Sequence, residues 1–131
     1  MKKMLKMVAL CMAVMCLSLS TAAFVPIQPL TAATATMALA FSGNNANCDI
    51  TITGASGTTR IDNVTVILRD DTAGREVARW SNLSANGTTF RFSRIANPVT
   101  QGRTYTLSFT ATVHRNGVAT PIGGDITRRY N

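Results

Sequence analysis

Between Gly102 and Gly117 the chain alternates apolar and hydroxylated side chains almost without interruption. Tyr105, Leu107, Phe109, Ala111 and Val113 share one parity; Thr104, Thr106, Ser108, Thr110 and Thr112 share the other. Successive side chains of a strand point to opposite faces, so this segment is expected to fold as a half-buried strand with one greasy and one wet face. Asn116-Gly117 closes it with the residues a type I′ hairpin needs, since both central positions take positive φ. The segment reports on scaffold and carries no chemistry of its own.

The same punctuation recurs along the chain. Seven strand-like runs are separated by Gly, Asn and Asp turns: Met37–Ser42, Cys48–Thr53, Asn63–Asp70, Arg75–Ser81, Thr88–Ile95, Arg103–Arg115 and Gly124–Tyr130. Val64, Val66 and Leu68 repeat the inward alternation on the third run, and Phe90 and Phe92 on the fifth. Asp70 to Gly74 forms a turn cluster, in which Asp can bond its own backbone and Gly supplies positive φ. No window shows sustained helical periodicity, and the Thr, Val and Ile content favours strands. The expected fold is all-β: one seven-stranded antiparallel β-sandwich following an N-terminal signal helix.

The N-terminus reads as an export signal. Lys2, Lys3 and Lys6 make a cationic start, and Met7 to Leu17 is an uninterrupted apolar run. Small residues then sit at the −3 and −1 positions of cleavage sites ending at Ala22, Ala23 or Ala33. Cleavage is expected between Ala22 and Ala33, toward the later site, because the ordered pattern begins only near Met37. Residues 1–33 are assigned to signal peptide and linker and 34–131 to the domain, with Thr31 to Thr36 read as an Ala/Thr linker. An uncleaved anchor is the alternative, since Met7 to Val25 carries no charge and approaches the length of a bilayer span. Membrane contact is expected only through that leader.

Removing the leader changes the charge. All three lysines lie in it, so ten arginines against six acidic residues leave a net +4 in place of the formal +7. A mild, scattered arginine surplus suits an anionic cell wall and is no nucleic-acid signature. Cys11 and Cys16 would leave with the signal, so Cys48 stands alone, either as a small apolar residue or as an intermolecular bridge or reactive thiol. About a hundred residues then remain, enough for one domain with a single core.

Val99-Thr100-Gln101-Gly102-Arg103-Thr104-Tyr105 resembles the turn before the sixth strand of fibronectin type III and related immunoglobulin-like domains. There an apolar residue lies six positions before a Tyr, and a Gly three before it. The resemblance implies an immunoglobulin-like sandwich in which Tyr105 packs over the loop, bonds the backbone through its hydroxyl and covers Val99. It spans Thr88 to Gly117. Val99 replaces the usual Leu, Pro98 precedes it instead of following, and the run from Asp49 to Thr53 lacks the core Trp of fibronectin type III. The whole chain also looks like small secreted proteins of Gram-positive bacteria built on one immunoglobulin-like domain.

Catalytic constellations are sparse. His114 is the sole histidine and falls on the outward parity beside Arg115, at a hairpin end. Zinc sites need several His or Cys ligands, and the mature chain would offer one of each. Asp70 and Asp71, with Asp49, Asp62 or Asp125, are the oxygen donors available for calcium, but they lack loop spacing. Glu76 is the only Glu, and a solvated pair with the adjacent Arg75 is expected. Trp80, beside Arg79, is the most informative single residue. Facing out it is a stacking platform for a sugar or partner; facing in it caps the core against Phe90 or Phe92, which its size favours.

The chain is therefore expected to be a secreted non-enzymatic module of the cell surface or extracellular space. Trp80 and Arg79 are its candidate ligand contacts, and Tyr105, Val99 and Gly102 its structural corner. No catalytic residue, metal or cofactor is expected, and the partner would be a cell-wall polysaccharide or a protein. A small cationic effector, bacteriocin-like or toxin-like, is the alternative, motivated by arginine surplus and size.

Overall fold

The inward parity of each run becomes one wall of a two-layered core. The computed structural model describes residues 22–26 and 33–131. Its strands are β1 (Ala22–Pro26), β2 (Ala33–Ser42), β3 (Asn45–Gly54), β4 (Thr58–Asp70), β5 (Arg75–Asn86), β6 (Thr89–Ala96), β7 (Thr104–Arg115) and β8 (Val118–Arg129). They form two four-stranded antiparallel sheets, ordered β1-β2-β3-β6 and β5-β4-β7-β8. The described residues are all-β. Residues 1–21, which hold the expected cationic start, leader helix, Cys11 and Cys16, lie outside the described residues.

The inner faces meet in one hydrophobic core. Met37, Leu39, Ile50 and Ile52 from the first sheet face Val64, Val66, Leu68, Leu107, Phe109 and Val113 from the second, all at most 2% exposed. Stacked sheets sit about 10 Å apart, the depth that such interdigitating side chains fill. The β7–β8 connection is a tight hairpin in which Asn116 and Gly117 take φ of 51° and 79°, both positive as a type I′ turn requires.

The seven expected strands are β2 to β8, with several longer than their alternation suggested. Of the Ala/Thr stretch read as a linker, residues 33–36 are the first part of β2, with Ala33 and Ala35 buried and Thr34 and Thr36 exposed, while Thr31 and Ala32 lie outside the described residues. Alanine alternating with threonine has the strand period, with the alanines on the buried face. β1 is additional. It lies where leader and cleavage site were placed, and pairs with β2 from Ala22↔Ala38 to Pro26↔Thr34.

Two asparagines explain the short runs read for β4 and β5. Asn63 in β4 and Asn82 in β5 have φ of 55° and 58°, a left-handed conformation that Asn tolerates better than most residues. The register of β4 shifts between Ile61 and Val64, so both residues face the core although three apart. Such a bulge resets the parity, and a period-two reading stops there.

Candidate functional site

The outer face of the β5-β4-β7-β8 sheet carries a dense set of polar side chains. β7 contributes Thr104, Thr106, Ser108, Thr110 and Thr112 in one row, and register brings Thr65 of β4 beside Thr110 and Thr127 of β8 beside Thr106. Opposite Thr110 on the other side lies Gly123. A Cβ there would come within 3.1 Å of the Phe109 carbonyl oxygen, so glycine lets β8 lie close against β7.

Charged groups rim this face, and several are paired with one another, while Asp125 beside Ser108 and Arg129 beside Thr104 form no ion pair with another described residue. At one end Asp62 accepts from His114 Nε2 at 2.9 Å through one oxygen and from Arg60 Nε at 2.9 Å through the other. The His114 bond, together with the Arg60 charge, holds the Asp62 carboxyl below its ordinary value despite some desolvation. At the other end Thr106 Oγ1 donates to Asp71 at 2.5 Å, and Thr127 Oγ1 lies 2.8 Å away. On the edge strand, Arg79 grips Glu76 through Nε and Nη2 at 3.1 and 2.7 Å, and that bond lowers the Glu76 carboxyl. The partner of Glu76 is thus Arg79, three residues on, instead of the adjacent Arg75. Neighbouring side chains on a strand point to opposite faces, while a half-buried edge strand with irregular register brings these two together.

Arg79 and Trp80 do not form one contact surface. Arg79 pairs with Ile67 on the outer face, and Trp80 pairs with Val66 on the inner one. The indole packs edge-on against Phe92 of the opposite sheet at 5.1 Å and 68°, an arrangement that aromatic quadrupoles favour. Trp80 is half-buried and closes the core between edge strands β5 and β6, whose own rim is covered by Arg94 over Phe92 at 5.5 Å.

At the corner, Tyr105 is 1% exposed and Val99 3%. The Thr100 backbone N–H donates to the Tyr105 hydroxyl at 2.8 Å. Gly102 has φ of 93° and donates its N–H to the Tyr130 carbonyl at 2.6 Å, while the Val99 N–H donates to the Asn44 carbonyl at 2.9 Å. Phe41 lies against Tyr105 at 5.5 Å and stacks on Tyr130 at 4.7 Å. The loop, the β2–β3 hairpin and the chain after β8 are thereby bound into one corner.

Two further groups have structural surroundings. Asp70 is 1% exposed on its side chain, accepts from the Ala73 N–H at 2.9 Å and from Arg103 Nη1 at 2.8 Å. Burial would raise its carboxyl, but those bonds and the Arg103 charge outweigh it, so the group stays below the ordinary value. Cys48 is fully buried, and desolvation, aided by the Asp49 charge, pushes its thiol up to about 12. A thiolate is thus disfavoured there, and with it nucleophilic or metal-binding chemistry. Among the described residues no three His, Cys, Asp or Glu side chains converge on a metal-binding position.

The Asp62–His114 bond was not foreseeable from the sequence. Fifty-two positions separate the two residues, and only the β4–β7 register, shifted by the Asn63 bulge, makes them neighbours.

No protein-family model and no curated protein matches the chain. Among solved structures it is similar to Bacteroides uniformis β-glucuronidase 2 covalently bound to cyclophellitol-6-carboxylate aziridine, at 14% identity and a TM-score of 0.46 over 73% of this chain and 13% of that one. A Bacteroides uniformis β-glucuronidase aligns at 12% identity and a TM-score of 0.40 over 84% of this chain and 13% of that one. The chain thus spans about an eighth of the length of either enzyme.

Proposed function

We propose that the chain is an exported, non-enzymatic binding module with an immunoglobulin-like sandwich of the fibronectin type III kind, and that it contacts a hydroxyl-rich polymer of the cell surface. The strand order supports the fold assignment: β5 adds to the β4-β7-β8 sheet, and a buried Tyr105 pins the corner before β7. The hydroxyl row on the outer face of β7 carries the functional part. Threonine hydroxyls both donate and accept, so a flat array of them suits a ligand whose own groups are hydroxyls. The chemistry that would argue for catalysis is engaged elsewhere: His114 is tied to Asp62, Asp70 to Arg103, and Cys48 lies in the core.

Retention of the exported protein on purified cell wall, titrated with salt, tests this reading. Binding through hydroxyls resists salt, because screening acts on charges. A T110A/T112A variant that still folds is expected to lose at least tenfold in retention. Wild-type protein remaining in the supernatant would refute wall binding, and retention only of a wall-associated protein would point to a protein partner.

A further inference from the structure

β1 occupies the segment in which the export signal was expected to end. Its residues pair with Ala38 to Thr34 of β2 in an unbroken antiparallel register. Cleavage after Ala33 would remove all of these pairs and cut β2 itself, since Ala33 pairs with Gly54 and Thr34 with Thr53. The new ammonium group would then lie beside the shallow hollow lined by Ala33, Thr34, Thr53, Gly54 and Ala55, which holds no carboxylate to meet it. Cleavage after Ala22 or Ala23 leaves Phe24, Val25 and Pro26 paired with Thr36, Ala35 and Thr34. Leader length points the same way. Signal peptides run about 15–30 residues, with the small-residue site soon after the apolar segment; Ala22 and Ala23 fall inside that window and Ala33 beyond it. Pro26 is suited to this place, because a residue without an N–H is tolerated on an edge strand.

We propose that export processing cuts after Ala22 or Ala23, so that β1 stays in the mature protein as the edge strand of the first sheet. This rests on the export reading made above. Export occurs on the unfolded chain, so the peptidase reads the small residues; the fold shows which product keeps every strand. The test is to express the full-length chain in a bacterial host and determine the N-terminus of the exported protein by intact mass and terminal sequencing. An N-terminus at Ala23 or Phe24 supports the proposal, and one at Thr34, or anywhere beyond Pro26, overturns it. A chain that keeps Met1 and stays in the cytoplasm overturns the export reading as well, whereas one that keeps Met1 but is held on the outer side of the membrane overturns cleavage alone, which separates the two failures. In addition, A22L/A23L is expected to accumulate unprocessed precursor while A33L is processed as the parent is. The reverse pattern would move the site to Ala33.

Discussion

Replacing Asp70 by Asn tests whether the buried turn carboxylate is a structural ion. The native side chain accepts two hydrogen bonds, one neutral from Ala73 and one charge-assisted from Arg103. Asparagine keeps an oxygen for Ala73 but offers Arg103 a neutral amide. A hydrogen bond to a charged group contributes about 1.5–3 kcal/mol net. Arg103 is 38% exposed and regains water when its partner is lost, so the low end applies, and about 1–2 kcal/mol is expected. For a domain of this size that corresponds to a fall in Tm of roughly 4–16 °C. The sign of the pH dependence follows from the depressed carboxyl. Its contribution is present above the ordinary aspartate value, near pH 4, and is lost as pH falls through the lower folded value. Urea midpoints measured from pH 7 down to pH 2 are therefore expected to converge for wild type and D70N at the acid end. Asp62 and Glu76 also sit below their ordinary values, but both proteins carry them, so they cancel in the difference. A D70N stability loss that is the same at pH 7 and pH 2, or under about 0.3 kcal/mol at pH 7, would refute the assignment.

Three further outcomes are expected. Y105F keeps the ring against Phe41 but leaves the Thr100 N–H without its acceptor. It should cost about 1 kcal/mol by urea denaturation, and an unchanged midpoint would remove the hydroxyl from the corner. Cys48, buried and with its thiol raised to about 12, should resist a thiol reagent at pH 8 and label fully only after unfolding in guanidinium; rapid native labelling would contradict its burial. In H114Q the Asp62 carboxyl loses the main bond that lowers it, so its NMR titration midpoint should move upward, and an unmoved midpoint would mean that Arg60 alone holds it.

The fold was largely readable because seven strands announce themselves by period-two alternation, and it failed to be readable where something local breaks that period. β4 begins at Thr58, five residues before the alternation from Asn63 suggests, because the left-handed Asn63 inserts an extra residue. β5 continues past Ser81 to Asn86 across Asn82 for the same reason. β8 begins at Val118, although Pro121 and the glycines Gly123 and Gly124 hide it, since an edge strand tolerates a missing N–H and missing side chains. β1 was hidden differently: its apolar composition continues that of the leader. The polar pairs were less readable than the strands. Asp70 reads as a turn residue and is one, but its burial and its tie to Arg103, thirty-three positions away, depend on how the β4–β5 turn lies against the start of β7.

The arrangement of the outer face decides where a ligand would gain most on the proposed reading. Several charges at its rim already have partners: Arg60 and His114 with Asp62, Arg79 with Glu76, and Asp71 with Thr106. A ligand that engages them must first break these contacts, so the exchange yields little. The central hydroxyls of Ser108, Thr110 and Thr112 make no side-chain hydrogen bonds to other described residues. They lose only water on binding, and rotating a hydroxyl demands no movement of the sheet. Substitutions at Thr110 and Thr112 should therefore weaken wall retention more than R79A, even though arginine carries the charge. If R79A proved the more damaging and salt abolished retention, the contact would be electrostatic and would lie at the β5 edge instead of on the β7 row.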